Sequence, residues 1–458
     1  MLSGGGETGL EMDGSLAPQS AGDRQLPHST ATPMQGKAAD DEGSWFVLAI
    51  TSLLVGAVVG FVGAVFRLSL EQADRLRDAS VAWAQGEGVL GFLLVAAGCG
   101  AAAAIAAYLV RKVCPQASGS GIPHVEAVLR KELPPAPFML IPVKFAGGVL
   151  AIGAGLALGR EGPSVQLGAS LAHFIGRALR RNGPDCRVLL AAGAGAGLAT
   201  AFNAPIAGAI FVLEELVRQF ETRIAIAALG TSATAMAVAR RFLGDRPEFQ
   251  VEHLPYASLT ALVLYLVLGV VAGLLAVAYN RTLLGAIAAA DRLRRCPVEA
   301  RAGVVGAVVG MVAWLAPGLV GGGEPITQRT LAGAATLSVL PLAFLLRFGL
   351  GAVSYAARTP GGLFAPMLVL GAQLGLLFGM LCGLALPGVE VPPACFAVVG
   401  MAAFFTGVVR APITGIALIV EMTAGFPMFL PMLGACFAAM LVPTLLGDPP
   451  IYDSLRER

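Results

Sequence analysis

This chain is poor in charge. Of 458 residues only 13% are Asp, Glu, Lys or Arg, against about 25% in soluble domains. Lysine stands only at Lys37, Lys112, Lys131 and Lys144. Histidine is as scarce: His28, His124, His173 and His253 are scattered, with no H-E-x-x-H, so no metal site is expected. The cysteines (Cys99, Cys114, Cys186, Cys296, Cys382, Cys395, Cys436) are odd in number, form no C-x-x-C pair and lie mostly in apolar runs. They read as small buried hydrophobes rather than a disulfide framework. A net charge of +2 gives no reason to expect nucleic acid as a partner.

What remains is hydrophobic. Apolar residues make up 56% of the chain, mean hydropathy is +0.76, and apolar runs recur from Trp45 to Leu446. This is a polytopic membrane protein with the lipid bilayer as its solvent. Many runs are cut by Gly or Pro before reaching the ~20 residues of a full span, which predicts broken and half-length helices. Ala191-Ala192-Gly193-Ala194-Gly195-Ala196-Gly197 suits close helix approach. Arginines cluster at 177, 180, 181 and 187 and again at 292, 294, 295 and 301, with Arg111 and Lys112 in a third place. The positive-inside rule assigns those three loops to the cytoplasm. Residues 1–44 lack an apolar core and read as a disordered cytoplasmic tail. The chain ends soon after its last apolar run, leaving no room for a cytoplasmic regulatory domain.

Two stretches are near-copies. Residues Asn203 to Glu215 return 207 residues later as Arg410 to Met422, and Gly159 to Ala169 return 203 residues later as Gly362 to Ala372. Repeated halves broken at matching places by Gly and Pro mark a transporter whose site lies where the halves meet. The copies predict a first membrane repeat over 45–230, a second over 255–445, and a C-terminal segment, 446–458, carrying Tyr452. They differ in their acids: Glu161 corresponds to Phe364 and Glu215 to Met422, whereas Glu214 is kept as Glu421. An unpaired acid in hydrocarbon costs about 2.5–3.5 kcal/mol on the lenient insertion scale. Acids kept by both halves, and Arg410, are therefore read as structural, and acids kept by one half as functional.

Three breaks share a design. Gly119-Ser120-Gly121-Ile122-Pro123, Gly159-Arg160-Glu161-Gly162-Pro163 and Gly361-Gly362-Leu363-Phe364-Ala365-Pro366 each precede a helical run. Glycine permits the tight backbone, and proline in the first turn removes a donor that would be orphaned anyway. The free N–H groups that remain, at a positive helix end, can hold an anion without a full positive charge.

These segments, with the late Tyr452, resemble in order the anion-pathway segments of the CLC chloride channels and proton/chloride exchangers, over Trp45 to Tyr452. The resemblance implies an all-α membrane protein of two inverted-topology repeats, about eighteen helices with several broken or short ones, and a homodimer with one pathway per subunit. It implies that the Ser120 and Tyr452 hydroxyls and the N–H groups of Leu363 and Phe364 bind a central chloride. N–H groups around Arg160, Glu161 and Gly162 would form an outer site, Glu161 would gate it, and Glu215 would pass protons on the inner side.

The expected activity is secondary active antiport of chloride against protons, with no cofactor, in a bacterial inner (plasma) membrane. The bacterial assignment rests on the missing regulatory domain and the preference for Arg over Lys. The runner-up is a passive voltage- or pH-gated chloride channel. A rival enzyme, an intramembrane serine protease using Ser118 or Ser120 with His173, leaves the repeat, Glu161 and Phe364 unused, so no enzyme is expected. Arg160 is read as an ion pair with Glu161, Lys144 as neutralising Glu214 or Glu126 or raising the potential for anions, and His124 and Glu126 as cytoplasm-facing polar residues.

Overall fold

The computed structural model describes residues 35–251, 254–256, 259–293, 295–386 and 391–458. Residues 1–34 of the predicted tail, with His28, and also His253 and Arg294, lie outside the described residues. The chain divides into two units, Met1–Ser44 and Trp45–Arg458. Within the first, only residues 35–44 are described, and they are helical.

Every named element among the described residues is helical. In hydrocarbon each backbone N–H and C=O must be satisfied within the protein, which only helices and closed barrels achieve. The first half comprises α1 (Gln35–Gln85), α2 (Gly88–Val113), α3 (Ile122–Leu129), α4 (Leu140–Gly153), α5 (Glu161–Ala178), α6 (Gly183–Phe202), α7 (Pro205–Phe211) and α8 (Thr222–Leu243). The second comprises α9 (Leu259–Arg292), α10 (Val298–Leu315), α11 (Glu324–Leu331), α12 (Leu340–Ala356), α13 (Phe364–Ala385), α14 (Pro393–Val409), α15 (Pro412–Thr423) and α16 (Phe429–Leu445), and α17 (Ile451–Arg456) follows. Among the described residues eight helices are long and apolar enough to cross a membrane. The others include the short helices that the Gly and Pro interruptions predict.

The two halves are inverted. Helix α2 packs along its repeat mate α10. The end of α2 meets the start of α10 where Arg111 Nε lies 2.5 Å from Glu299 Oε1. Gln85, just before α2, donates to the Trp314 carbonyl at the end of α10 at 3.1 Å. Repeat-related helices that run antiparallel side by side are what an axis in the membrane plane produces.

The same axis appears in reciprocal bonds. The Glu214 carboxylate accepts from the N–H groups of Ile413 (2.9 Å) and Thr414 (2.6 Å) at the start of α15. Glu421 accepts from Ile206 (3.0 Å) and Ala207 (2.8 Å) at the start of α7. Each half caps the other's broken helix with the carboxylate that both halves keep, which is the structural role expected for Glu214 and Glu421. The breaks themselves match. Helix α6 ends on Asn203 (φ 54°) and α14 on Arg410 (φ 72°), both left-handed, and Pro205 and Pro412 restart the chain as α7 and α15. Asn203 adopts that conformation readily, whereas at Arg410 the tertiary frame, including a bond to the Asp448 carbonyl, holds it.

The core lies where α5 meets α6 and α13 meets α14. Any side chain at Gly168 would collide with the Gly193 carbonyl, and one at Gly371 with that of Gly400. Those close approaches are repeat-related and seat α5 on α6 and α13 on α14. Of the cysteines, Cys296 is exposed and Cys382 half-buried, while the other five are buried as predicted.

Candidate anion and proton site

The three glycine breaks, which start as far apart as Gly119 and Gly361, come together. Gly159 and Gly362, repeat mates, exchange both backbone bonds at 2.9 and 2.7 Å. Gly119 donates to the Thr359 carbonyl (3.2 Å) and accepts from Gly361 (3.1 Å). The site is thus sewn by backbone, which fixes loops more tightly than side chains could. Tyr452 arrives from α17, which packs on α3, and its ring stacks on Phe364 with centroids 6.0 Å apart. Ser120, Glu161, Leu363, Phe364 and Tyr452 are all fully buried. The Phe364 ring is further enclosed by Phe202, Phe211 and Phe405.

Glu161 opens α5, yet its carboxylate reaches the mate helix: Oε1 accepts the N–H of Phe364, the first residue of α13, at 2.6 Å. A Cβ at Gly159 or Gly362 would occupy the space that carboxylate takes. A negative group therefore already sits on the positive end of α13. Ser120 Oγ and Tyr452 Oη are both buried without a hydrogen-bond partner, an expensive condition for a hydroxyl. The Ser120 backbone N–H is directed at Tyr355 Oη, 3.4 Å away, and nothing in the sequence signals that tyrosine. Two orphaned hydroxyls and a helix N-terminus form a donor set suited to a small anion.

Three expectations are corrected. Arg160 turns away from Glu161: it pairs with Glu248 at 2.7 Å and Glu324 at 3.6 Å and donates to the Ala201 carbonyl at 2.9 Å. It is the N-cap of α5, and its guanidinium locks the loop after α8. Lys144 neutralises neither Glu214 nor Glu126. Its Nζ donates to the carbonyls of Ala117 (3.1 Å) and Gly119 (2.7 Å), bracing the Ser120 loop from beneath. Glu126 does not face the cytoplasm, because it is fully buried.

Glu126 belongs instead with Glu215. The chain after α7 widens into a π turn, Val212–Leu216. That turn sends Glu214 outward to cap α15 and leaves its neighbour Glu215 buried. Arg218 Nη2 lies 3.4 Å from Glu215 Oε1 and 3.9 Å from Glu126 Oε1, and its Nη1 is 3.0 Å from Asp453 Oδ2. Asp453 follows Tyr452 directly, so the acid cluster and the anion site share α17. Three acids share one partly exposed arginine, and pairs of buried acids are where protons are held and passed. The sequence singled out Glu215, whereas Glu126, Arg218 and Asp453 are brought beside it only by the fold. Among the described residues no histidine bonds Ser118 or Ser120, and Ser118 Oγ donates to the Arg358 carbonyl at 3.3 Å, so no protease constellation forms.

Glu248 was also missed. It bridges Arg160 (2.7 Å) and Arg67 (2.8 Å) from the loop joining the halves. Burial works against its charge, but the two guanidiniums outweigh it and hold the carboxyl below the usual range. A depressed carboxylate stabilises the fold above its unfolded pKa of about 4.3 and loses that contribution as pH falls through the folded value. Glu248→Gln strands two largely buried cations and is expected to destabilise by about 3 kcal/mol. Thermal melting of the purified protein at pH 7 checks this, and an unchanged midpoint would mean Glu71 and Glu324 suffice.

The profile of the voltage gated chloride channel family matches residues 102–444. The chain is 37% identical over 422 residues, 90% of each protein, to the H(+)/Cl(-) exchange transporter ClcA of Vibrio parahaemolyticus. It is 35% identical over 415 residues to the protein of the same name in Klebsiella pneumoniae, covering 89% of this chain and 88% of that one. A crystal structure of a slow cyanobacterial Cl-/H+ antiporter superposes with a TM-score of 0.84 at 30% identity, covering 90% of this chain and 97% of that one. A CLC-type fluoride/proton antiporter shares the fold, with a TM-score of 0.75 at 22% identity.

Proposed function

The chain belongs to the voltage gated chloride channel family, and we infer that it is a secondary active antiporter exchanging chloride for protons. One observation carries the reading. Two buried carboxylates present in only one repeat, Glu161 and Glu215, accompany two buried hydroxyls without a hydrogen-bond partner, Ser120 and Tyr452.

In this reading the central chloride accepts from Ser120 Oγ, Tyr452 Oη and the N–H groups of Leu363 and Phe364. The outer chloride lies on the N–H groups of Arg160, Glu161 and Gly162, the unpaired first turn of α5. Ionised Glu161 holds the Phe364 N–H and excludes chloride from that helix end. Protonated, it loses its advantage over the anion and yields the place. Chloride passage is then linked to protonation of Glu161, and Glu215 with Glu126 conveys the proton toward the arginine-rich side. Neutral donors bind chloride weakly enough to release it. No cofactor enters this cycle.

We place the protein, multi-pass, in a bacterial plasma membrane, as expected from its bacterial relatives. The exposed Ile206 of α7 and Ile413 of α15 are repeat mates that stand beside the half-buried capping carboxylates Glu214 and Glu421. Carboxylates facing lipid are costly, so a second copy of this chain is the proposed cover for that face. A single-subunit mass in lipid nanodiscs would overturn the homodimer.

The decisive measurement is simultaneous recording of chloride and pH in liposomes carrying the purified protein. A chloride gradient should drive protons the opposite way, whereas chloride flux with no pH change would make the protein a passive channel. Anion choice tests the Ser120 hydroxyl: Ser120→Pro removes an orphaned donor and is expected to raise nitrate transport relative to chloride. An unchanged preference in a folded variant would reduce Ser120 to a helix start.

A further inference from the structure

The Ser120 loop has a mate that carries no hydroxyl. Gly321-Gly322-Gly323-Glu324-Pro325 stands 202 residues after Gly119-Ser120-Gly121-Ile122-Pro123, and the two fold alike. Gly119 and Gly321 have φ of +59° and +80°, Gly121 and Gly323 of +87° and +107°, and each loop opens an eight-residue helix with proline in its first turn, α3 or α11. Because the halves are inverted, the loop after α10 lies toward the membrane face opposite the loop after α2.

Beneath each loop sits a buried cation. Lys144 Nζ spans the carbonyls of Ala117 and Gly119. Arg347, 203 residues later on α12, places Nη1 on the corresponding carbonyls of Leu319 (3.2 Å) and Gly321 (2.9 Å). Lysine has one nitrogen and spends it there. Arginine has a second: Nη2 is buried without a partner in a residue only 2% exposed. It lies 3.1 Å from the place a Cβ on Gly323, the N-cap of α11, would occupy. Glycine is required at 323 by the positive φ and by Val369 pressing on the same space. A guanidinium nitrogen is therefore aimed at the N-terminus of α11, and both are electropositive.

We propose that the Gly321–Gly323 loop, the first turn of α11 and Arg347 Nη2 form a second anion site, for a small monovalent anion such as chloride. It loads the pathway from the face opposite the Ser120 loop. Glu324, in the first turn, opposes an anion there, but its carboxylate is drawn toward Arg160 at 3.6 Å. That contact keeps the site weak, as a loading site must be for its ion to leave. It also ties the site to the start of α5, where Glu161 stands. The inference rests on the antiporter reading for which ion is presented, while the binding site itself is independent of coupling.

Bromide tests it as a heavy stand-in for chloride. Crystals of the full chain in bromide should show anomalous density within hydrogen-bond reach of Arg347 Nη2 as well as between Ser120 and Tyr452. Arg347→Lys keeps a cation able to bond both carbonyls, as Lys144 does in the other half. It should lose the α11 density, retain that at Ser120, and raise the half-saturating chloride on that face about tenfold. Wild-type density at Ser120 and Tyr452 alone overturns the second site and leaves the antiporter standing. Density at neither place overturns both, and density that survives Arg347→Lys with unchanged half-saturation removes Arg347 from the site. Should Arg347→Lys fail to fold, the wild-type density still decides.

Discussion

Glu161→Ala is expected to conduct chloride at a rate independent of pH and to move protons at least about a hundredfold more slowly than the parent, the scale on which a required proton-transfer group acts. The reason is positional. The carboxylate holds the Phe364 N–H at 2.6 Å, so it competes with chloride for the start of α13 only while it is charged. Alanine removes the competitor and the proton carrier together. Glu161→Gln, uncharged at every pH, should behave the same way in coupling, because an amide copies the protonated acid and cannot become the ionised one. Paired chloride and pH recordings from liposomes decide it. Proton movement that persists in both variants would mean Glu161 neither gates nor carries.

Glu215→Gln should separate the two ions differently. The charged neighbours of Glu215 are Arg218, Glu126 and Asp453. Substitution should abolish proton movement, again by about a hundredfold or more, while chloride still flows and Glu161 still makes that flow pH-dependent. This pattern distinguishes a conveyor from a gate, since loss at Glu161 frees chloride from pH and loss at Glu215 does not. Coupling retained in Glu215→Gln would assign the proton another entrance, and its contrast with Met422 would then be a matter of packing.

Repetition made much of this protein legible. A carboxylate kept at 214 and 421 and glycines kept at 159 and 362 are statements about contacts across an axis, and the structure supplies those contacts as reciprocal bonds. The acids unique to one half, Glu161 and Glu215, stood out for the same reason. Partners at unrelated positions carried no such mark. Arg160 looked paired with Glu161 because they are adjacent in sequence, yet adjacent residues at a helix start point in different directions, and Glu248 reached Arg160 from a distant loop. Glu126 looked like a surface residue because one turn of helix cannot say what packs over it.

By itself the sequence determined the membrane class, the two halves and the broken helices, and it singled out Glu161 and Glu215 as the acids that only one half carries. Each of these is written in hydropathy, Gly and Pro placement, or the difference between two copies of one pattern. Only the tertiary structure decided which charges meet: Arg160 with Glu248, Lys144 and Arg347 with loop carbonyls, Arg218 among three acids. A charged side chain in a low-dielectric interior takes whichever partner the packing brings within a few ångströms. That choice depends on how α1, α5, α8 and α17 are assembled in space, and no spacing along the chain encodes it.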